Sequence, residues 1–259
     1  MRLFLRQVRA LVKLSFLELW RRNDVFALVL LGLALMVPLA RAAPFGAAGA
    51  SRYLDEMALL LVWAFSLFVA LGAGQRLFPP EFESRTIYPL LAKPISRTRL
   101  LVGKYLGAVA ASWSALAFFY ALFAAGVLLR GGAFAAELPQ AVALHFAFVA
   151  LAVAVSLLGS LLMSASANLT LSALVLVGMF FFGRRLPDYA EGLSPALAWV
   201  VKSVYAVAPH AEFFDMRQRL VHGWGAVEGC VFVAVLGYAL AYVFVVLLLA
   251  AAVLRRKRV

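Results

Sequence analysis

The chain has 259 residues, of which 65% are hydrophobic and only 14% charged, with a mean hydropathy of +0.96 and a net charge of +12. That balance excludes a soluble domain of this length and describes an integral membrane protein.

The first 22 residues place Arg2, Arg6, Arg9 and Lys13 at helical spacing on one face, with Leu3, Leu11, Leu14 and Leu17 among the remainder. This predicts a helix lying in the membrane interface, used as an anchor or as a contact for a partner. The charged leader is too long for a signal-peptide n-region, so Ala40-Arg41-Ala42 is read as following an uncleaved span.

Spans are read from windows without Asp, Glu, Lys or Arg. These are Val25 to Ala40 (16 residues), Met57 to Gln75 (19), Tyr105 to Leu129 (25), Leu138 to Gly183 (46) and Gly229 to Leu254 (26). A bilayer core takes about 20 apolar residues per helix, so the longest window divides in two. The hinge is expected at Ser164 to Asn168, with Asn168 capping the second helix. Six transmembrane helices result, in one domain covering 1–259. The alternation of a membrane barrel is absent, which leaves an all-α fold in which every backbone group is satisfied within its own helix.

Between the second and third spans lies a charged island, 79–100, broken by Pro79, Pro80, Pro89 and Pro94 and carrying Glu81, Glu83, Arg85, Lys93, Arg97 and Arg99. Two acids one turn ahead of Thr86-Ile87-Tyr88, followed by spaced basic residues, predict a short amphipathic docking helix that meets a soluble partner. The segment 184–228 before the last span is too short in its apolar runs to cross a bilayer. It is expected to hold re-entrant or interfacial helices, acting as a gate or as a cap on the bundle. Its His210, Phe213, Phe214 and Arg217 combine aromatic faces with polar tips and are candidate substrate or gate residues. His145 is the one titratable residue inside the longest window. At that depth it is either a functional group or a histidine hydrogen-bonded to a neighbouring helix.

Sixteen of the 24 basic residues fall in the first 22 residues, in 76–104 and at 255–258, all on one side of a six-span topology. Four acids share that side, so the whole net charge lies there. The positive-inside rule makes it cytoplasmic, with both termini in the cytoplasm and 184–228 outside. A nucleic-acid binder would not sort its charge in this way.

Enzymatic signatures are missing. Gly103-Lys104 is followed by Tyr105, so there is no Walker lysine motif, and neither H-E-x-x-H nor a nucleophile elbow occurs. His210, Glu212, Asp215 and His222 lack metal-site spacing, and no metal is expected. The single cysteine, Cys230, permits no internal disulfide and suits helix packing. Gly103, Gly107 and Ala111 form a small-residue stripe at the base of the third span, fit for close helix contact, as is Gly72-Ala73-Gly74 in the second.

The island reads E-x-x-R-T-I-x-x-L-L-x-K-P-I-S-R from Glu83 to Arg97, then G-K-x-x-G from Gly103 to Gly107, and A-P-H-A-E-F-F-D-M-R precedes the last span. Together with six spans, these resemble the exporter-type (ABC-2) permease subunits of ABC transporters. The nearest group is the permeases of multi-copper enzyme maturation, including nitrous oxide reductase assembly. His210 departs from that pattern, since many relatives carry Asn after the proline.

The resemblance implies a permease in the cell membrane, paired with a second permease copy and served by two cytoplasmic ABC ATPase subunits, with room for an external accessory protein. The island becomes the coupling helix, with Glu81, Glu83, Arg85, Thr86, Ile87, Tyr88, Lys93 and Arg97 facing the ATPase. The chain itself binds no cofactor; ATP and Mg are used by the partner. A scaffold that transmits force without bulk transport, and an intramembrane enzyme, are the rival readings.

Overall fold

A computed structural model describes residues 2–20, 23–41, 50–79 and 96–257. Among them the chain is helical throughout. The long helices are α1 (Arg2–Trp20), α2 (Asn23–Arg41), α3 (Ala50–Gln75), α4 (Arg97–Leu129), α5 (Leu138–Leu162) and α6 (Ala165–Phe182). A short 3-10 turn (Gly183–Arg185) leads into α7 (Leu186–Glu191) and α8 (Pro195–Val207). A second such turn (Ala211–Phe214) precedes α9 (Arg217–His222) and the final α10 (Gly229–Arg256).

Among the described residues, five apolar helical stretches are long enough to cross a membrane: Arg52–Gln75, Arg97–Leu129, Leu138–Leu162, Ala165–Glu191 and Gly229–Arg256. The first expected span falls on α2, whose apolar part, Ala27–Leu39, is shorter. The fourth stretch runs past the expected boundary at residue 184, because the 3-10 turn carries helical backbone from α6 into α7.

Pro38 lies inside α2, whereas three other prolines stand where their missing N–H is harmless. Pro139, Pro187 and Pro195 each occupy the first turn of a helix. Gly131, at φ +70°, ends α4 in the left-handed region that only glycine enters without strain.

Helix α5 is apolar around most of its circumference, as suits a helix packed on several sides. It packs between α3 and α10, while α4 holds α1, α2 and α3. Leu151, Ala152, Val153, Ala154, Leu157 and Leu161 of α5 are fully buried. The break between α5 and α6 comes at Met163 and Ser164, overlapping the expected hinge of Ser164 to Asn168 only at Ser164, and the cap differs. Ser164 is the N-cap, its hydroxyl accepting from the Ala167 amide.

Asn168 lies inside α6, fully buried. Its Nδ2 donates to the Ser156 carbonyl (2.8 Å), its Oδ1 accepts from Ser172 Oγ (3.0 Å), and Ser156 Oγ donates to Leu71 O (3.0 Å). This thread joins α6, α5 and α3 through the core. Gly159 makes room for it, since a Cβ there would occupy the position of Asn168 Oδ1.

The two small-residue stripes are packing surfaces. A Cβ on Gly103 would sit 2.6 Å from Leu11 Cβ, and one on Gly107 would sit 2.6 Å from Ser15 Cβ. Gly74 meets Ser156 Cβ at 2.6 Å in the same way, whereas Gly72 faces open space. The N-terminal helix is thus docked along the base of α4 by Leu11, Ser15 and Leu19, with Leu14 and Leu17 turned outward. Cys230, expected in a helix contact, is exposed at the start of α10.

Candidate functional site

Two ends of the bundle hold the candidate residues. At the basic end, Glu81, Glu83, Arg85, Thr86, Ile87, Tyr88 and Lys93 lie outside the described residues; Arg97 lies within them, at the first position of α4. Ser96 caps that helix, its hydroxyl accepting from the Arg99 amide (3.3 Å). The Arg97 guanidinium reaches the far end of the chain. Nη1 donates to the carbonyls of Leu254 (2.9 Å), Arg255 (3.1 Å) and Lys257 (3.0 Å). These are carbonyls that a helix C-terminus leaves without intrahelical partners, and a cation suits the negative end of its dipole. Arg99 Nη1 donates to Gln7 Oε1 on α1 (3.0 Å).

Lys104 is buried, donates to Leu77 O and lies 5.0 Å from the Phe78 ring centroid. The backbone just before the island is therefore pinned by Lys104, and the island's last residues are tied through Arg97 and Arg99 to both terminal helices. Sequence reasoning assigned Arg97 to a partner surface. Its guanidinium instead faces α10, an arrangement that a separation of 157 residues conceals.

At the opposite, capped end, the proposed gate residues divide. His210 Nδ1 is 3.0 Å from Glu212 Oε1, and its backbone N–H donates to the Tyr238 hydroxyl (3.1 Å). Phe213 is exposed and stacks on His210 at 4.9 Å. Phe214 is buried, touching Phe148 at 5.9 Å and Tyr238 at 6.3 Å, so it belongs to the core and not to a rim. Arg217 forms a bidentate pair with Asp215 (3.0 and 3.1 Å) and covers the Phe180 ring at 4.6 Å. His222 stacks on Trp224 instead of joining His210. Burial, then the nearby Glu212 carboxylate and a hydrogen bond to it, push the Tyr205 phenol above its ordinary range.

His145 sits apart from the cap, fully buried. Ser66 Oγ donates to Trp63 O (3.0 Å) and so accepts from His145 Nε2 (2.8 Å), while Tyr120 OH lies 3.0 Å from Nδ1. The Ser66 bond places a proton on Nε2. With both nitrogens engaged and Trp63 stacked at 4.2 Å, His145 ties α3, α4 and α5 together. The same Trp63 touches Phe180 at 4.7 Å. An aromatic column thus runs from His145 through Trp63 and Phe180 to Arg217. Trp63 and Ser66, three residues apart on one helix face, were the only trace of it in the sequence.

Two hollows open at the capped end, of about 250 and about 670 Å³. Arg184, Glu212, Asp215 and Arg219 line both, forming an ionic ridge between them.

A family model described as ABC-2 family transporter protein (ABC2_membrane_5) matches residues 27–200, which run from α2 into α8 across the island. No curated protein matches the chain.

Proposed function

The chain belongs to the ABC-2 transporter family, and from that premise we propose that this multi-pass membrane permease takes its energy from a separate cytoplasmic ATPase docked on the island at its basic end. Its sequence carries no Walker lysine motif. The observation that carries the reading is the tethering of the island. Lys104 holds the chain before it, and Arg97 and Arg99 link its last residues to α10 and α1. A push on the island is then delivered directly to both terminal helices, which is what an energy-coupling segment requires.

In this reading α2 is the first of six spans, the basic end is cytoplasmic, and two ATPase subunits using ATP and Mg serve two permease copies. The island motif further points to the permeases of multi-copper enzyme maturation. Substrate is met at the capped end, where Phe213, His210 and Arg217 stand at the rim.

Co-expression with its ATPase tests the energy source: the two should copurify, and failure to do so in native-like lipid overturns the assignment. Sidedness is tested with Ser96→Cys and Gln218→Cys in a Cys230→Ala background. In intact cells an impermeant maleimide should label position 218 and spare position 96. Inverted labelling contradicts the topology.

Phe213 and Phe214 are expected to behave differently. Phe213→Ala, at an exposed ring, should alter substrate-stimulated ATP hydrolysis while basal hydrolysis and assembly persist. Phe214→Ala should lower stability by about 3–5 kcal/mol, as truncation of a buried aromatic does. Equal effects of the two variants on stability would remove Phe213 from the rim.

A further inference from the structure

Glu212 is 3% exposed, and only one of its carboxylate oxygens is accounted for. Oε1 pairs with His210, while Oε2 is buried with no hydrogen-bond partner. Gly183 is the reason the carboxylate fits, because a Cβ at that position would lie 2.5 Å from Oε2. A buried carboxylate oxygen without a donor is costly. Glu212 stands on the ridge shared by both hollows, with the Tyr205 phenol beside the same carboxylate.

The two hollows differ in character. The smaller is walled by Leu144, Val227, Val231, Phe232 and Val235, and it lies beside α10, whose outward face presents Val231, Val233 and Leu240. That is an apolar cleft next to a lipid-facing helix. The larger is lined by aromatic and charged groups, with Arg184, Arg185, Arg217 and Arg219 against Glu56, Glu212 and Asp215. Asp215 and Arg217 satisfy each other. Arg184 and Arg219 each spend only one long bond, of 3.4 Å, on a backbone carbonyl, out of five N–H donors.

A surplus of guanidinium calls for an anionic group, and an orphan carboxylate oxygen calls for an N–H cation a few ångströms away. One molecule that carries both, attached to an apolar tail, satisfies the whole surface. We propose that the ridge binds a zwitterionic headgroup with a primary ammonium and a phosphate, the ammonium on Glu212 Oε2, the phosphate on Arg184 and Arg219, and any acyl chain in the cleft beside α10. The site deepens the permease reading if the bound molecule is also carried. Binding itself needs no ATPase, so it stands or falls separately from that reading.

Lipid retention by the purified full chain, measured by native mass spectrometry, tests the site. The lipids are phosphatidylethanolamine, phosphatidylcholine and phosphatidylglycerol with identical acyl chains. The ethanolamine lipid should be retained about tenfold better than the choline lipid, whose quaternary nitrogen has no N–H to donate. Glu212→Gln should abolish that preference without changing retention of phosphatidylglycerol, and Arg184→Gln with Arg219→Gln should weaken all three. The Arg184 variant, at an exposed residue, keeps the test valid if Glu212→Gln lowers folded yield. Competition by millimolar phosphoethanolamine would assign the site to a soluble zwitterion, and failure to compete would assign it to the lipid. Equal retention of the three lipids by the wild-type chain, or a preference unchanged in both sets of variants, overturns the proposal.

Discussion

Gly159→Ala should cost the folded protein about 2–4 kcal/mol, out of proportion to one added methyl group. The new Cβ takes the place of Asn168 Oδ1. Asn168 is fully buried, and its amide is held by Ser156 O on one side and Ser172 on the other. Expulsion therefore adds the loss of a satisfied polar group to overpacking. The neighbouring atom is the short end of an asparagine, which has no flexible stem with which to yield. The clash predicts its own rescue: Gly159→Ala with Asn168→Ala should recover at least half of the loss, because bulk and stranded amide disappear together. The fraction remaining monodisperse after graded heating in detergent reads both variants. A Gly159→Ala protein as heat-resistant as the wild type would show that the asparagine is not packed as described.

That pair also shows where sequence reasoning stops. The division of the 46-residue window at Ser164 was legible, because SASAN is the densest cluster of polar residues in an otherwise mostly apolar run. Which of its residues caps the helix was not. Serine and asparagine are near-equivalent caps, and the choice was settled by Gly159, nine positions earlier, leaving space for an amide inside the core. The stripe of Gly103 and Gly107 was legible as a contact surface, but its partner was not. Nothing local says that the N-terminal helix, read as an interfacial anchor, lies along it. His145 was legible as a buried oddity, whereas Trp63, Ser66 and Tyr120 come from two other helices, and their convergence is a matter of register. Phe213 and Phe214 are adjacent and identical in type, yet one stacks on His210 at the surface and the other fills the core. A 3-10 turn separates their directions, and no periodicity announces it.

The largest functional effect is expected from reversing both charges in the island, Glu83→Arg with Arg85→Glu. On the coupling reading, ATP hydrolysis by the partner subunit continues but ceases to respond to the permease, or the complex dissociates. Either outcome removes transport entirely. Glu83 stands three residues before the Thr86-Ile87-Tyr88 run and Arg85 immediately before it, so reversal confronts the partner's complementary charges with like ones. Like-charge juxtaposition at an interface costs several kcal/mol, a loss of more than a hundredfold in affinity. Arg97→Ala supplies the contrast. Its guanidinium is engaged with the Leu254, Arg255 and Lys257 carbonyls, so the variant should still capture the ATPase while transmitting less of each hydrolysis cycle to α10. The split between the two variants, affinity lost in one and coupling lost in the other, is read by copurification alongside ATPase and transport rates in proteoliposomes. A double reversal that copurifies and transports normally would remove the island from the energy path. An Arg97→Ala protein that loses the ATPase altogether would place that residue on the partner surface after all.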